Sequence, residues 1–546
     1  MVAAFLLLSA LPLAFAAPAA ESASAFAGST ASAVYPPPGA TITSDESYFP
    51  DAEQVGYPGP TPTGAEAEAI ATAPVAALNT NAYPLVAPQT PYSGTGTPFQ
   101  LIRSWGNLSP WFSVGSDAFG LPTADPQIPS GCELEQVHLL HRHGARYPTS
   151  GSAPSSFAAT VQAAASGSGF SATGPLEFLN TWTYKLGAEI LTPFGRQQPF
   201  DLGVAFRVKY GQLLTEFTDL PVFRTTSESD IHFAAGFFGV PDYQTSYHQE
   251  IIIEESGFNN TLAPWNACPN SNDAVAGDLG SYAYGNWTQI YLNATVPRLQ
   301  KYITGLNLTT SDLYAMQQLC AYETVALGYS EFCSLFTDEE PFLLVWRWPW
   351  KPAAAAQGIG YVQELVARLT KKPLTSFDTS TNGTLDGNNI TFPLNQPIYV
   401  DASHDTVIAS IITALNFTTL AANGPLPIDH IPAYQTYHVH DIAPFTSNLV
   451  AQVMSCPASV STALEAGSAA DPVSYIRFLL NDGVVPLTGI AHCETPDANG
   501  LCPLENFIQG MQERIEEVDF VYDCYANYTP PALTADTIID GRMIQY

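Results

Sequence analysis

Read as apolar and polar positions, the chain falls into two unlike parts that meet near residue 99. The first opens with an apolar run from Val2 to Leu13, followed by Ala14-Phe15-Ala16 with small residues at the A-x-A positions. That pattern predicts a cleaved signal peptide over residues 1–17, and the run is too short to span a bilayer. Residues 18–98 are dominated by Ala, Ser, Thr, Pro and Gly, and the first basic residue of the chain is Arg103. Such a segment cannot bury enough apolar surface to fold alone, so it is expected to be disordered: a pro-segment, wall spacer or O-glycosylated linker.

Ordered structure is predicted from Phe99 onward, where Leu101, Ile102, Trp105, Trp111 and Phe112 follow closely. From there one pattern occurs three times: a short apolar strand, a polar turn and a helix. The first strand runs into His138-Leu139-Leu140-His141-Arg142-His143-Gly144-Ala145-Arg146-Tyr147-Pro148. A helix is predicted after Leu191-Thr192-Pro193-Phe194-Gly195, with Leu202, Phe206, Tyr210, Leu213 and Leu214 on one stripe. The second strand ends at Arg224, before a helix with Ile231, Ala234, Ala235 and Phe238 inward. The third, Pro397 to Asp401, breaks at Ala402-Ser403-His404-Asp405 and feeds a helix carrying Val407, Ile408, Ile411, Ile412 and Leu415 on one face. In open α/β sheets ligands bind where strands end, and helix N-termini there favour anions.

The intervening stretches differ in kind. Residues 149–174 are rich in Ser, Ala and Gly, and 239–340 read as helical and irregular. The pattern therefore predicts a core from 99–150, 191–238 and 341–524, with mainly helical cap insertions at 151–190 and 239–340. Trp346, Trp348 and Trp350 alternate as on a packed strand or domain seam, and Ile476 to Leu487 spells a hairpin turning at Asn481-Asp482-Gly483. Residues 525–546 form a C-terminal tail.

Charge narrows the partners. The chain has 18 Lys plus Arg against 50 Asp plus Glu, a formal net charge of -32, which excludes nucleic acid. Carboxylate protonation would relieve the self-repulsion, which fits work in an acidic medium. No later apolar run is long enough for a membrane span. Sequons at Asn107, Asn259, Asn286, Asn293, Asn307, Asn382, Asn389, Asn416 and Asn527, together with the leader, predict a glycosylated protein that is secreted, extracellular or cell-wall associated. The cysteines are Cys132, Cys268, Cys320, Cys333, Cys456, Cys493, Cys502 and Cys524. Eight cysteines allow 105 pairings, of which spacing alone suggests Cys320 with Cys333 and Cys493 with Cys502. No C-x-x-C pair suggests zinc or redox work.

The chemistry concentrates in the first turn. Arginine forks match phosphate oxygens bidentately, and an imidazole held between them can attack phosphorus. The cations also oppose protonation of His143, keeping a lone pair available. Other candidates are weaker. His492-Cys493 lacks the arginine that a cysteine phosphatase loop requires, since position 499 is Asn499. His438, His440 and Asp441 could face a metal, but no further ligand is identifiable; no metal or cofactor is expected. His138 and His141 are expected to pack around the loop.

R-H-G-x-R-x-P at 142–148, L-T-P-F-G-x-x-Q at 191–198, the strand-end Arg224 and the turn Ser403-His404-Asp405 together resemble the histidine acid phosphatase family. Within it the chain is most similar to fungal phytases and secreted acid phosphatases, over roughly Phe99 to Cys524. The resemblance implies a doubly wound, mainly parallel α/β sheet with helices on both faces and an inserted α-helical cap. It further implies that His143 becomes phosphorylated, that Arg142, Arg146, Arg224 and His404 hold the phosphoryl oxygens, and that Asp405 is the proton donor. Pairing of Cys132 with Cys456 and of Cys268 with Cys524 is likewise implied.

The expected activity is acid hydrolysis of small phosphomonoesters through a phosphohistidine. Fungal phytases carry a lysine-rich stretch soon after the motif, whereas residues 149–174 here hold no Lys or Arg. That departure favours broad specificity, with phytate within range through other loops such as Lys371-Lys372. A dedicated phytase is one alternative. A non-catalytic secreted phosphate-binding or wall glycoprotein is another, against which stands the presence of nucleophile, arginines and donor together.

Overall fold

A computed structural model describes residues 101–226, 229–271, 279–337, 351–422, 430, 436–457, 472–495 and 497–527. The leader, the spacer, the three alternating tryptophans and most of the tail lie outside these residues. The chain builds one eight-stranded sheet from β1 (Glu133–Arg142), β2 (Val222–Thr225), β3 (His248–Ile251), β4 (Ile398–Ser403), β5 (Asn448–Cys456), β6 (Val473–Leu480), β7 (Gly483–Val485) and β8 (Cys502–Pro503). The order is β8-β6-β5-β1-β4-β2-β3, with β7 on β6. The half holding β1, β4, β2 and β3 is parallel, and the other half is antiparallel. The result is a mixed α/β sheet.

β1 is central, so its last seven residues are buried on both faces, as a strand covered by helices on each side requires. Its parallel register with β4 sets Arg142 against Ser403. The next residues of each strand, His143 and His404, therefore leave the sheet together at its C-terminal edge. The backbone N–H of His143 donates to the Ser403 carbonyl at 3.1 Å, which fixes that exit.

After α1 (Ala153–Ser166), whose buried residues belong to a separate cluster, α2 (Pro193–Tyr210) packs with α3 (Ser229–Phe238) on one face over Leu139, Phe223 and Val400. Phe206, Phe233 and Phe237 interlock there with centroids 5.8 to 6.3 Å apart. Burying each ring contributes about 1.5–3 kcal/mol before the ordering entropy is set against it. The other face is covered by α6 (Lys351–Thr370), α7 (Asp405–Ala414), α8 (Leu504–Glu517) and α9 (Phe520–Tyr525), packed on Leu140, Ala451 and Phe478. The hairpin turns at Asn481 and Asp482 with φ of 48° and 74°, the left-handed pair that a two-residue turn demands.

A second apolar cluster holds the cap. α1, α4 (Leu279–Tyr291) and α5 (Thr310–Leu327) enclose Phe157, Leu176, Leu179, Leu313 and Phe332. Thr309 and Asp312 start α5 with a reciprocal capping box. The same cluster includes Trp105, Ala145 and Tyr147, so the cap is packed onto the loop that follows β1. One boundary moves. Residues 239–271, expected in the cap, belong to the core: β3 extends the parallel sheet, and Leu262, Ala267 and Cys268 join the main cluster. Disulfides link Cys132–Cys456, Cys268–Cys524, Cys320–Cys333 and Cys493–Cys502.

Candidate active site

The loop after β1 is clasped by the start of α2. A Cβ on Gly144 would lie 1.8 Å from the Gly195 carbonyl oxygen, and one on Gly195 would lie 1.6 Å from that of Ala145. Only two glycines permit this approach. The N–H of Thr192 donates to the Ala145 carbonyl at 2.9 Å, and the Ala145 N–H donates to Gln198 Oε1 at 2.8 Å. Thr192 also caps α2 by accepting from the Gly195 N–H at 2.9 Å. The two motifs are thus halves of one rigid turn.

His143 is 4% exposed, and its Nδ1 lies 2.8 Å from the Gly144 carbonyl oxygen. A carbonyl can only accept, so Nδ1 carries the hydrogen and Nε2 the lone pair. Burial, then Arg142, Arg146 and His404, push this imidazole well below its ordinary pKa. These effects favour the neutral imidazole over the protonated one.

Arg142 is fully buried, with Nη2 3.0 Å from Asp405 Oδ2 and Nη1 donating to the carbonyls of Asn107 and, at 3.0 Å, Ala443. Its guanidinium lies 4.4 Å from the centre of the Phe445 ring, and its Nε has no hydrogen-bond partner among the described residues. Arg146 is partly exposed, paired with Glu189 at 2.6 Å and with Thr149 at 3.1 Å. His404 precedes α7; its Nε2 meets Glu254 Oε1 at 2.7 Å and Thr226 Oγ1 at 3.2 Å, and its ring stands 5.5 Å from that of His143. Asp405 accepts from the Thr406 N–H at 2.9 Å and from Asn107 Nδ2 at 2.7 Å. Burial works to raise its pKa, but Arg142, the Asn107 amide, His404 and Arg146 together hold it below the usual carboxylate range.

Arg142, His143, Arg146, His404 and Asp405 therefore come together, and Arg224 does not join them. Its guanidinium is buried in ion pairs at 2.6 Å with both Asp401 and Glu364, and 3.7 Å from Asp386. Arg368 completes the network at 2.6 Å from Asp401. With its charge committed to these acids, Arg224 is a structural cation beneath the cradle, which corrects the phosphate-binding role expected for it.

Three residues of the site carried no such signal in the sequence. Asn107 read only as a sequon, and nothing in the sequence marked Glu189 or Glu254. The sequons now separate: the Nδ2 groups of Asn107, Asn259, Asn382 and Asn416 donate within the protein, whereas Asn293, Asn307, Asn389 and Asn527 are exposed and Asn286 half-buried. A glycan on Asn107 would replace a hydrogen that binds Asp405.

The other histidines that the sequence offered as candidates lie outside the cradle. His138 stacks on Tyr399 at 4.7 Å and His141 on Phe233 at 5.2 Å, with burial pushing their pKa values down to about 3 and about 4. Cys493 is in a disulfide, and His492 pairs with Glu513 at 2.8 Å. His438, His440 and Asp441 bring potential metal ligands within 4.8 Å of one another. The Arg103 guanidinium, however, acts on both His440 and Asp441 and opposes a cation there.

A mixed α/β sheet that presents a neutral histidine between arginines, with an acid beside them, defines a phosphate-processing site. The family model of the histidine phosphatase superfamily (branch 2) matches residues 133–481, and the chain belongs to that family. It is a phosphoric monoester hydrolase. Phytase A of Aspergillus awamori is 31% identical over 439 residues, spanning 74% of this chain and 87% of that protein. Phytase A of Arthroderma benhamiae is 32% identical over 448 residues, spanning 77% and 92%. The crystal structure of the D. castellii phytase shares the fold, with a TM-score of 0.56 at 24% identity over 82% of this chain and 94% of that one.

Proposed function

We propose that the protein is a secreted acid phosphatase of broad specificity, phytate included, working through phosphorylated His143. The observation that carries this reading is the hydrogen bond from Nδ1 of His143 to the Gly144 carbonyl, which leaves Nε2 free among Arg142, Arg146 and His404. In the first half-reaction Nε2 attacks phosphorus, the P–O ester bond breaks, and protonated Asp405 gives its proton to the departing alkoxide. The arriving phosphoryl group, itself an anion, raises the proton affinity of Asp405, so acid conditions load the donor. In the second half Asp405 takes a proton from water, the water oxygen attacks phosphorus, the P–N bond breaks and phosphate leaves. Arg142, Arg146 and His404 stabilise the charge developing on the phosphoryl oxygens throughout.

Secretion is supported by four disulfides and by exposed sequons at Asn293, Asn307 and Asn389; no described helix is long and apolar enough to cross a membrane. A dedicated phytase is the second reading, favoured by the Phytase A relatives at 31% and 32% identity. The test is acid quenching during turnover of a radiolabelled phosphoester. Wild type should retain label and His143→Ala should not, whereas equal labelling would refute the nucleophile. Comparing kcat/KM for phytate with that for an aryl phosphate decides between the two readings.

A further inference from the structure

Each basic side chain of the cradle rests against its own carboxylate: Arg142 against Asp405 at 3.0 Å, Arg146 against Glu189 at 2.6 Å and His404 against Glu254 at 2.7 Å. The three pairs are not equivalent. A guanidinium has five N–H groups, so Arg142 and Arg146 can keep their acids and still receive phosphate oxygens. An imidazole has a single hydrogen on Nε2, and in His404 that hydrogen faces Glu254.

We propose that Glu254 is an affinity-determining residue: its carboxylate occupies the position on His404 Nε2 that a phosphoryl oxygen of the substrate must take, and so competes with phosphate for that hydrogen. The inference rests on the assignment of His404 to the phosphate cradle. Glu254 can leave at small cost, since its side chain is 27% exposed and follows the short edge strand β3 among exposed neighbours. Thr226, whose Oγ1 is 3.2 Å from Nε2, also bonds Glu254 and can keep it near. The titratable groups that face this pair are Arg146 on Glu254, and His143 and Asp405 on His404, whose ring also meets the uncharged Trp265 ring edge-on at 5.2 Å. Burial would raise the Glu254 pKa, but the bond and charge of His404 hold it below the ordinary carboxylate value. Competition therefore persists through mild acid and fades only when the carboxyl is protonated.

Titration calorimetry with inorganic phosphate reads this without turnover. Glu254→Gln should bind phosphate on the order of fivefold more tightly than wild type near neutrality, the worth of one exposed ion pair. The gap should close in strong acid. The pair His404→Ala and His404→Ala with Glu254→Gln should differ little, because the contested hydrogen is gone. Equal affinity of wild type and Glu254→Gln at all pH values would overturn the proposal. So would an unchanged gain in the His404→Ala background, which would make Glu254 a general repulsive charge. Thermal melts check that each variant is folded. Failure of the phosphohistidine reading would show instead as absence of label on His143, independently of these affinities.

Discussion

At the scale of single residues, Asp405 has to be both a carboxylate and an acid in one cycle, and its neighbours set the balance. Three donors meet it: the Thr406 N–H at 2.9 Å, Asn107 Nδ2 at 2.7 Å and Arg142 at 3.0 Å. A hydrogen bond to the charged form favours that form, so the Asn107 amide keeps the pKa low. Asn107→Ala should raise it, and because the donor must be protonated, the alkaline limb of kcat/KM for alkyl esters should move to higher pH. The maximum rate should fall by roughly tenfold as the carboxyl loses orientation. A pH–rate profile of the variant checks both parts; a limb that stays in place would remove Asn107 from the control of Asp405. Sequence reading could not reach this role, since an Asn-Leu-Ser triplet signals a glycan and nothing local points to a partner 298 residues away.

The elements explain which parts of the site were legible. A strand that stops at Arg142 or Ser403 announces its chemistry in contiguous residues, and the parallel register then forces the two ends together. Arg224 stands inside β2, one residue before its end, with its partners on α6 and on β4, and in sequence a lone arginine reads alike whether it faces substrate or buried acids. β3 escaped for another reason. Its four residues, His248-Gln249-Glu250-Ile251, form a polar edge strand with no fully buried position, so no apolar run marked it. The L-T-P-F-G stretch was legible as a helix start, and its clasp on the catalytic loop was not. Gly195→Ala tests that clasp: its methyl would meet the Ala145 carbonyl, displacing the loop by about 1 Å or more, which is worth on the order of 100-fold in rate. Activity should fall by that order in an enzyme that keeps its circular dichroism. Undiminished kcat/KM would show that the loop holds its place without the close approach.

The whole molecule carries its acidity inward as well as outward. Beneath the cradle two arginines, Arg224 and Arg368, meet four carboxyls: Glu364, Asp401, Asp386 and the half-buried Glu250. Asp401, bonded to both arginines, is held well below the carboxylate range against the effect of its burial. The surplus acids go the other way. Burial, then Glu364 and Asp401, push Glu250 up to about 7, although Arg224 opposes the rise; burial, then Glu364, push Asp386 up to about 8. Each raised carboxyl makes the folded protein bind a proton that the unfolded chain would release. Its contribution to stability is complete below the ordinary carboxylate pKa and is lost as pH rises through about 7 and about 8. The formal charge of -32 pulls in the same direction, because repulsion across the surface also grows as carboxyls ionise. Salt separates the two, since it screens exposed charges beyond about 8 Å at physiological strength and buried ones much less. The melting temperature should therefore fall between pH 5 and pH 9 even in high salt, and Glu250→Gln with Asp386→Asn should flatten the remaining slope. If high salt alone abolished the fall, surface repulsion would account for the acid preference and the buried carboxyls would have no part in it.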